Sequence, residues 1–119
     1  MTPAVTAISA ITLATHDMPR AVGFYEKLGF APTYGGADSD FTSFQAGSGF
    51  LNLIVADPKQ PLPWWGRAIF HVENVDAFHA RAVAKGLSPL FAPEDAPWGE
   101  RYFHIADPDG HELSFAKPL

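Results

Sequence analysis

Ala10-Ile11-Thr12-Leu13, then Thr15-His16-Asp17-Met18-Pro19, then a run closing on Leu28-Gly29, is the stretch whose reading decides the fold. The first four residues read as a strand. Asp17 suits a helix N-cap, where its carboxylate accepts bonds from the first free amides, and Pro19 is tolerated in the first turn. Val22, Tyr25 and Leu28 recur at three-residue steps with Phe24 beside them, which predicts a helix to about Leu28. Gly29 stops it by accepting a left-handed backbone.

The same grammar returns in the second half. Arg67-Ala68-Ile69-Phe70-His71-Val72 reads as a strand, Asn74 as the cap, residues 75–85 as a helix with Val75, Phe78 and Ala82 inward, and Gly86 as its stop. The stop glycine lies 19 residues after the start of the strand in both halves. Each helix is followed by an irregular stretch and then by strand, tight turn, strand. The turns are Ala46-Gly47-Ser48-Gly49 and Asp107-Pro108-Asp109-Gly110. Each half therefore reads βαβββ, with a short strand expected near 31–34 and near 88–91. The proline-rich segment from Ala56 to Pro63 reads as a linker. We expect one domain over 1–119, with module 1 at about 5–56, a linker at 57–65 and module 2 at about 66–117.

Composition narrows the function classes. The 119 residues suit one domain with a real core, and 47% hydrophobic against 18% charged residues places the chain among compact proteins. A net charge of −5 argues against a nucleic-acid partner. Without cysteine there is no disulfide scaffold, thiolate-bound zinc, iron–sulfur cluster or thiol nucleophile. No apolar run nears the roughly 20 residues of a membrane helix, and Met1-Thr2-Pro3-Ala4-Val5 does not open like a signal peptide. A soluble, cytoplasmic domain without a membrane partner is the expectation.

Alternation along the strands assigns faces. On the last hairpin Phe103, Ile105, Leu113 and Phe115 form an apolar set that should meet a helix; Tyr102, His104, Glu112 and Ser114 point the other way. Ala68, Phe70 and Val72 should turn inward, leaving Arg67, Ile69 and His71 opposite. Leu51, Leu53 and Val55 should meet the first helix, leaving Phe50, Asn52 and Ile54 opposite. Two such sheets with helices on their convex sides would curve together around a cup. Its wall would carry Ala10, Thr12, Phe50, Asn52, Arg67, His71, Tyr102, His104 and Ser114, the form of a small-molecule pocket. Alternatively this face meets solvent, but Phe50, Ile54 and Ile69 would then make an apolar patch.

Residues 17–30, Asp-Met-Pro-Arg-Ala-Val-Gly-Phe-Tyr-Glu-Lys-Leu-Gly-Phe, and Pro97-Trp98-Gly99-Glu100-Arg101-Tyr102-Phe103 followed by Asp107-Pro108-Asp109-Gly110-His111, resemble the vicinal oxygen chelate superfamily. That superfamily includes glyoxalase I, extradiol dioxygenases, and fosfomycin and bleomycin resistance proteins. The resemblance runs from about 5 to 117. It implies an α+β fold of two βαβββ modules forming a cupped, barrel-like mixed sheet with helices outside. It also implies a homodimer, with modules paired across subunits or within one. In its metalloenzymes, His, Gln or Glu side chains on four strands hold the ion. The matching positions here are Ala10, Asn52, Arg67 and Ser114, none a competent ligand for a divalent ion. We therefore expect no cofactor and no metal.

His71 and His104 share the polar face with Glu112 and, as a set, could in principle hold zinc or iron, or either histidine could act as a general base. Bonding to ligand or water is the simpler role. His16, His79 and His111 are assigned no chemistry. Trp64, Trp65 and Trp98 suit stacking on flat ligands, or equally core or dimer packing. Similar bleomycin resistance proteins carry Pro-Trp-Gly ahead of the last turn and bind drug, without a metal of their own, in grooves between two subunits. The expected function is metal-independent binding of a small organic molecule. Arg67, supported by His71, His104 and Tyr102, would hold an anionic or carbonyl-bearing group; Phe50, Ile54, Trp65 and Trp98 would cover the rest, with Asn52 and Ser114 beside them. The alternatives are a metal-dependent lyase, isomerase or dioxygenase using His71, His104 and Glu112, and an inert dimerisation module whose cup is filled by its own side chains.

Overall fold

In the computed structural model, which describes residues 3–119, β1 (Ala10–Thr15) passes through Asp17 into α1 (Met18–Lys27). Asp17 keeps extended backbone, and its carboxylate accepts the Arg20 N–H at 3.1 Å. Pro19 occupies the first turn, where a missing N–H costs no bond. Gly29 leaves the helix at φ +99°, a backbone that disfavours any side chain. The Arg81 guanidinium, from the other module, donates to the Leu28 carbonyl, setting a cation at the negative end of the helix.

β2 (Pro32–Tyr34), β3 (Phe41–Ala46) and β4 (Gly49–Val55) complete the first module in the order β1-β4-β3-β2. β1 and β4 run parallel, as the helical crossover between β1 and the rest of the sheet allows. β3 and β4 form a hairpin over Gly47-Ser48, with Gly47 at φ +60° supplying the turn twist that matches the strands. The second module repeats the plan: β5 (Arg67–His71), α2 (Val75–Ala84) capped by Asn74, β6 (Glu94–Asp95), β7 (Glu100–Ala106) and β8 (Glu112–Pro118), in the order β5-β8-β7-β6. One short strand falls elsewhere than expected. Residues 88–91 are not strand; pairing with β7 is made at Glu94–Asp95. Pro89 and Pro93 carry no N–H for a ladder, and Leu90 alone reaches across, to the His104 carbonyl at 2.8 Å.

The two modules share one core. Leu13, Phe44, Leu51 and Leu53 of the first sheet join α1, α2 and Phe103, Ile105, Leu113 and Phe115 of the second in a single buried cluster. Phe30, just past α1, packs edge-on against Phe70 with ring centres 5.5 Å apart. Tyr25, fully buried on α1, donates its hydroxyl to Asp107 Oδ2 at 2.7 Å, and Asp107 Oδ1 accepts the N–H groups of Asp109 and His111. The final turn is thus tied to the opposite module.

This sharing changes the expected cup. Both sheets turn their apolar faces to a common core, so their other faces point away from it, and the two sheets do not close into a barrel. The molecule measures 50 × 40 × 26 Å with a radius of gyration of 15.0 Å, against about 13.5 Å for a spherical domain of this length. Among the described residues no helix is long and apolar enough to cross a membrane.

Candidate functional site

Strand register places the polar residues of the second sheet on one open face. Arg67 lies opposite Glu112; His104, Ser114 and Ile69 form a row across β7, β8 and β5; Tyr102, Ala116 and His71 form the next. The alternate residues Phe103, Ile105, Leu113 and Phe115 are buried in the core, which fixes the phase.

Hydrogen bonds organise this face around three carboxylates. Glu112 Oε2 accepts from Arg67 Nε at 2.8 Å and from a terminal Arg67 nitrogen at 2.7 Å, and from the Trp64 indole N–H at 3.3 Å. Its other oxygen lies 3.7 Å from His104 Nδ1. Glu100 accepts the Trp98 indole N–H at 2.9 Å and lies 3.0 Å from His71 Nε2. Glu94 accepts the Tyr102 hydroxyl at 3.1 Å. The rings of Trp98, His104 and Phe91 stand 5.2–5.4 Å from that of Tyr102.

These neighbours set the protonation states. Burial pulls the His104 pKa down, the Arg67 charge adds to this, and Glu112 and Glu94 oppose it, so the imidazole tends to neutrality. Burial pushes Glu112 up, but the hydrogen bonds from Arg67 and Trp64, with the Arg67 charge, outweigh it and leave the carboxyl below its ordinary value. Tyr102 is raised, by burial first and then by its bond to Glu94.

The open face of the first sheet is different in character. It carries Phe50, Asn52 and Ile54 on β4, with Ala10, Thr12 and Ala14 level with them on β1. Asn52 donates to Thr12 Oγ1 at 3.2 Å, while its amide oxygen is buried without a partner. No charged side chain lies on the β1, β3 or β4 part of this face.

The four positions that the resemblance matches to metal ligands offer little to a divalent ion. Ala10 has no donor atom, Asn52 is bonded to Thr12, Ser114 is a neutral buried hydroxyl, and Arg67 is a cation already paired with Glu112. The set His71, His104 and Glu112 does not converge either. His71 stands two strands over and two residues along from His104, roughly 11–12 Å by strand spacing and rise, and it faces Glu100. Among the described residues no three His, Asp or Glu side chains gather closely enough to hold a metal.

The expected site residues therefore fall in three places. Arg67, His71, Tyr102, His104 and Ser114 share the second face with Trp98 beside them; Phe50, Asn52 and Ile54 share the first. Trp65 lies on neither. Its indole N–H donates to His111 Nδ1 at 2.7 Å, and the other His111 nitrogen bonds the Ala14 carbonyl at 2.7 Å. With Ile11–Ala14 and Gln60–Pro63 these residues line a cleft of about 330 Å³ under the linker. A larger cleft of about 460 Å³ opens between the β3–β4 turn and β5 and reaches Phe30, Phe70 and Phe115. Glu94 and Glu100 join the site without being expected there from the sequence, and Trp64, one of the three tryptophans suited to stacking, enters it as a hydrogen-bond donor to Glu112. For Glu100 the signal was present, since it alternates in phase with Tyr102 and His104; for Glu94, in irregular sequence, there was none.

Relatives place the fold in context. An uncharacterised protein of Mycobacterium bovis is 44% identical over 48 residues, which is 40% of this chain and 32% of that protein. The chain thus matches only about a third of that relative's length. A bleomycin resistance protein of Klebsiella pneumoniae is 25% identical over 105 residues, 82% of each chain. A bleomycin-binding protein solved in complex with bleomycin superposes with a TM-score of 0.77 at 23% identity, covering 97% of this chain and all of that one, which speaks to the fold. The pattern shared by one family runs through residues 7–115, nearly the whole of both modules, and the chain belongs to the Glyoxalase/Bleomycin resistance protein/Dioxygenase superfamily.

Proposed function

We propose that the protein binds a small organic molecule against these open sheet faces and does so without a catalytic metal. The observation that carries this reading is Arg67 at a metal-ligand position with its guanidinium paired to Glu112. The guanidinium brings no donor atom with a free lone pair to the place of a ligand, and it engages the one carboxylate nearby that could serve as one. The neutral oxygens of Asn52 and Ser114 are weak compensation. The indole and phenol rings of Trp98 and Tyr102 supply flat apolar area with polar edges, as organic ligands require. Pairing with Glu112 offsets the charge of Arg67, so a ligand carbonyl suits it better than a full anion. The Klebsiella relative named for bleomycin resistance supports a drug-like ligand, and the absence of cysteine fits a reducing, cytoplasmic setting.

Metal analysis of protein purified without chelator, with calorimetry against metal-free bleomycin and a panel of aromatic amides, tests the reading. We expect substoichiometric metal, and binding weakened at least about tenfold, ~1.4 kcal/mol, in Trp98→Ala. Stoichiometric zinc, iron or manganese, or identical binding by wild type, Arg67→Ala and Trp98→Ala, would overturn it.

A further inference from the structure

We propose that the end of the linker is a pH-operated strap: a proton on His111 detaches Trp65, and Trp64 then leaves Glu112. The strap stands on its own geometry. It rests on the small-molecule reading above only in that Glu112 belongs to the proposed binding face, which the strap would then control.

Side chains alone hold the last part of the linker. Among the described residues, 61–65 make no backbone-to-backbone hydrogen bond, and Pro61 and Pro63 have no N–H to offer. Two neighbouring indoles make the attachment. Trp64 donates to Glu112 Oε2 at 3.3 Å and Trp65 to His111 Nδ1 at 2.7 Å, so consecutive residues of the linker grip consecutive residues where the last turn enters β8. Gly66, at φ +134° with open space around it, is the pivot between the strap and β5. The cleft of about 330 Å³ lies beneath.

The shorter grip depends on one charge state. An indole N–H only donates and a carbonyl only accepts, so the ring between Trp65 and the Ala14 carbonyl is a neutral imidazole with its proton on Nε2. A second proton has to go on Nδ1, the atom that accepts from Trp65, and sets two N–H groups against each other. The Nε2 bond to Ala14 survives that change. His111 is 5% exposed and Trp65 47%, so the indole rather than the imidazole gives way. The other end of the strap behaves differently. His16 Nε2 lies 2.7 Å from the Gln60 carbonyl, which accepts from a charged imidazole as well, so acid leaves that end tied. The acids on the elements around His111 are Asp107 and Asp109 in its own turn, Glu112 beside it, Asp17 after β1 and Asp57 in the linker, with Tyr25 behind Asp107. The basic groups there are His16, Lys59 and Arg67, the last already paired with Glu112. Carboxylates outnumber cations in this set, which supplies counter-charge for a positive imidazole.

Proton–nitrogen NMR of the indole N–H groups in the full chain, followed from roughly pH 8 to pH 5 where imidazoles change charge, tests this with no ligand present. The Trp65 and Trp64 signals should shift together, with the midpoint of the His111 ring, to the position of an indole bonded to water. His111→Gln, whose amide can accept from Trp65 and donate to Ala14 in one uncharged state, should hold both signals still. Trp65→Phe should keep the Trp64 signal at its released position throughout; circular dichroism checks that both variants fold. A Trp65 signal that stays fixed while the His111 ring titrates, or that shifts equally in His111→Gln, overturns the strap. A Trp64 signal that still shifts in His111→Gln also overturns it, because His104, 3.7 Å from Glu112, would then be the group responsible. Calorimetry with metal-free bleomycin at both ends of the range separates the two readings: indoles that release as expected in a chain that binds no drug at either pH support the strap and remove the binding reading instead.

Discussion

Tyr25→Phe removes one oxygen from the centre of the molecule and tests how the two modules are joined. The Tyr25 side chain is fully buried, and its hydroxyl donates at 2.7 Å to Asp107, itself 5% exposed. Burial pushes the phenol pKa well above its ordinary value, with Asp107 adding, so it stays a donor. Without it, Oδ2 of Asp107 remains buried and loses a bond from α1, while Oδ1 keeps the Asp109 and His111 amides. Such a loss, at a charged acceptor, costs about 2 kcal/mol with phenylalanine filling the same volume. That is ~1.3 M in the urea midpoint for a slope near 1.5 kcal/mol per M. The pH dependence has a definite sign. Burial raises the Asp107 pKa and the Tyr25 bond lowers it, so the hydroxyl favours the carboxylate over the acid. A raised carboxyl withdraws stability as pH climbs from its unfolded value near 4 through its folded one, and losing the hydroxyl enlarges that withdrawal. The gap between Tyr25→Phe and wild type should therefore be full at pH 7 and shrink toward pH 4. Urea unfolding followed by tryptophan fluorescence at both pH values measures it. Equal midpoints at pH 7, or a gap that widens on acidification, would refute the reasoning.

Asp17→Ala and Asn74→Ala should each cost about 1 kcal/mol by freeing an amide in the first turn of α1 and α2, and because the caps lie in different modules the double variant should cost their sum; thermal unfolding reads both. Arg67→Ala should raise the His104 pKa and lift Glu112 toward or past its ordinary value, since Arg67 holds both down; proton NMR of the imidazole reports the shift. With His104 below its usual value, wild type loses stability as pH falls through about 6.5, and that loss should diminish in Arg67→Ala. Gly35→Ala should cost at least about 2 kcal/mol, because Gly35 sits at φ +77° and a Cβ there would fall on the Phe41 carbonyl oxygen; Gly36→Ala, with open space around it, should cost less of this steric part.

Elements with strong local causes were legible in the chain. Asp17, Pro19 and Gly29, with Asn74 and Gly86, fixed the ends of both helices because caps and stops act within a few residues. The faces of β7 and β8 were equally plain, since one phase gathers Phe103, Ile105, Leu113 and Phe115 along their central part, all of them buried. The strand expected near 88–91 was not where pairing occurs, because Pro89 interrupts that segment, Pro93 follows just beyond it, and the bonds shift to Glu94–Asp95. Arg67 was legible as a cation on the open face of the second sheet, since β5 alternates. Its engagement with Glu112, and the indole and phenol bonds to Glu100 and Glu94, were not, because they join residues far apart in sequence or held in irregular backbone.

The sequence by itself determined the two βαβββ modules, the limits of their helices and which strand residues alternate onto each open face, since turn chemistry and alternation are local properties; residues in irregular backbone, such as Trp65, were outside its reach. Only the tertiary structure decided how the modules sit together. Tyr25 reaching Asp107, Phe30 packing on Phe70 and Arg81 capping α1 bind both apolar faces to one core. Burying two apolar faces against each other is what sends the polar faces outward, and no pattern along the chain records which surfaces will be shared.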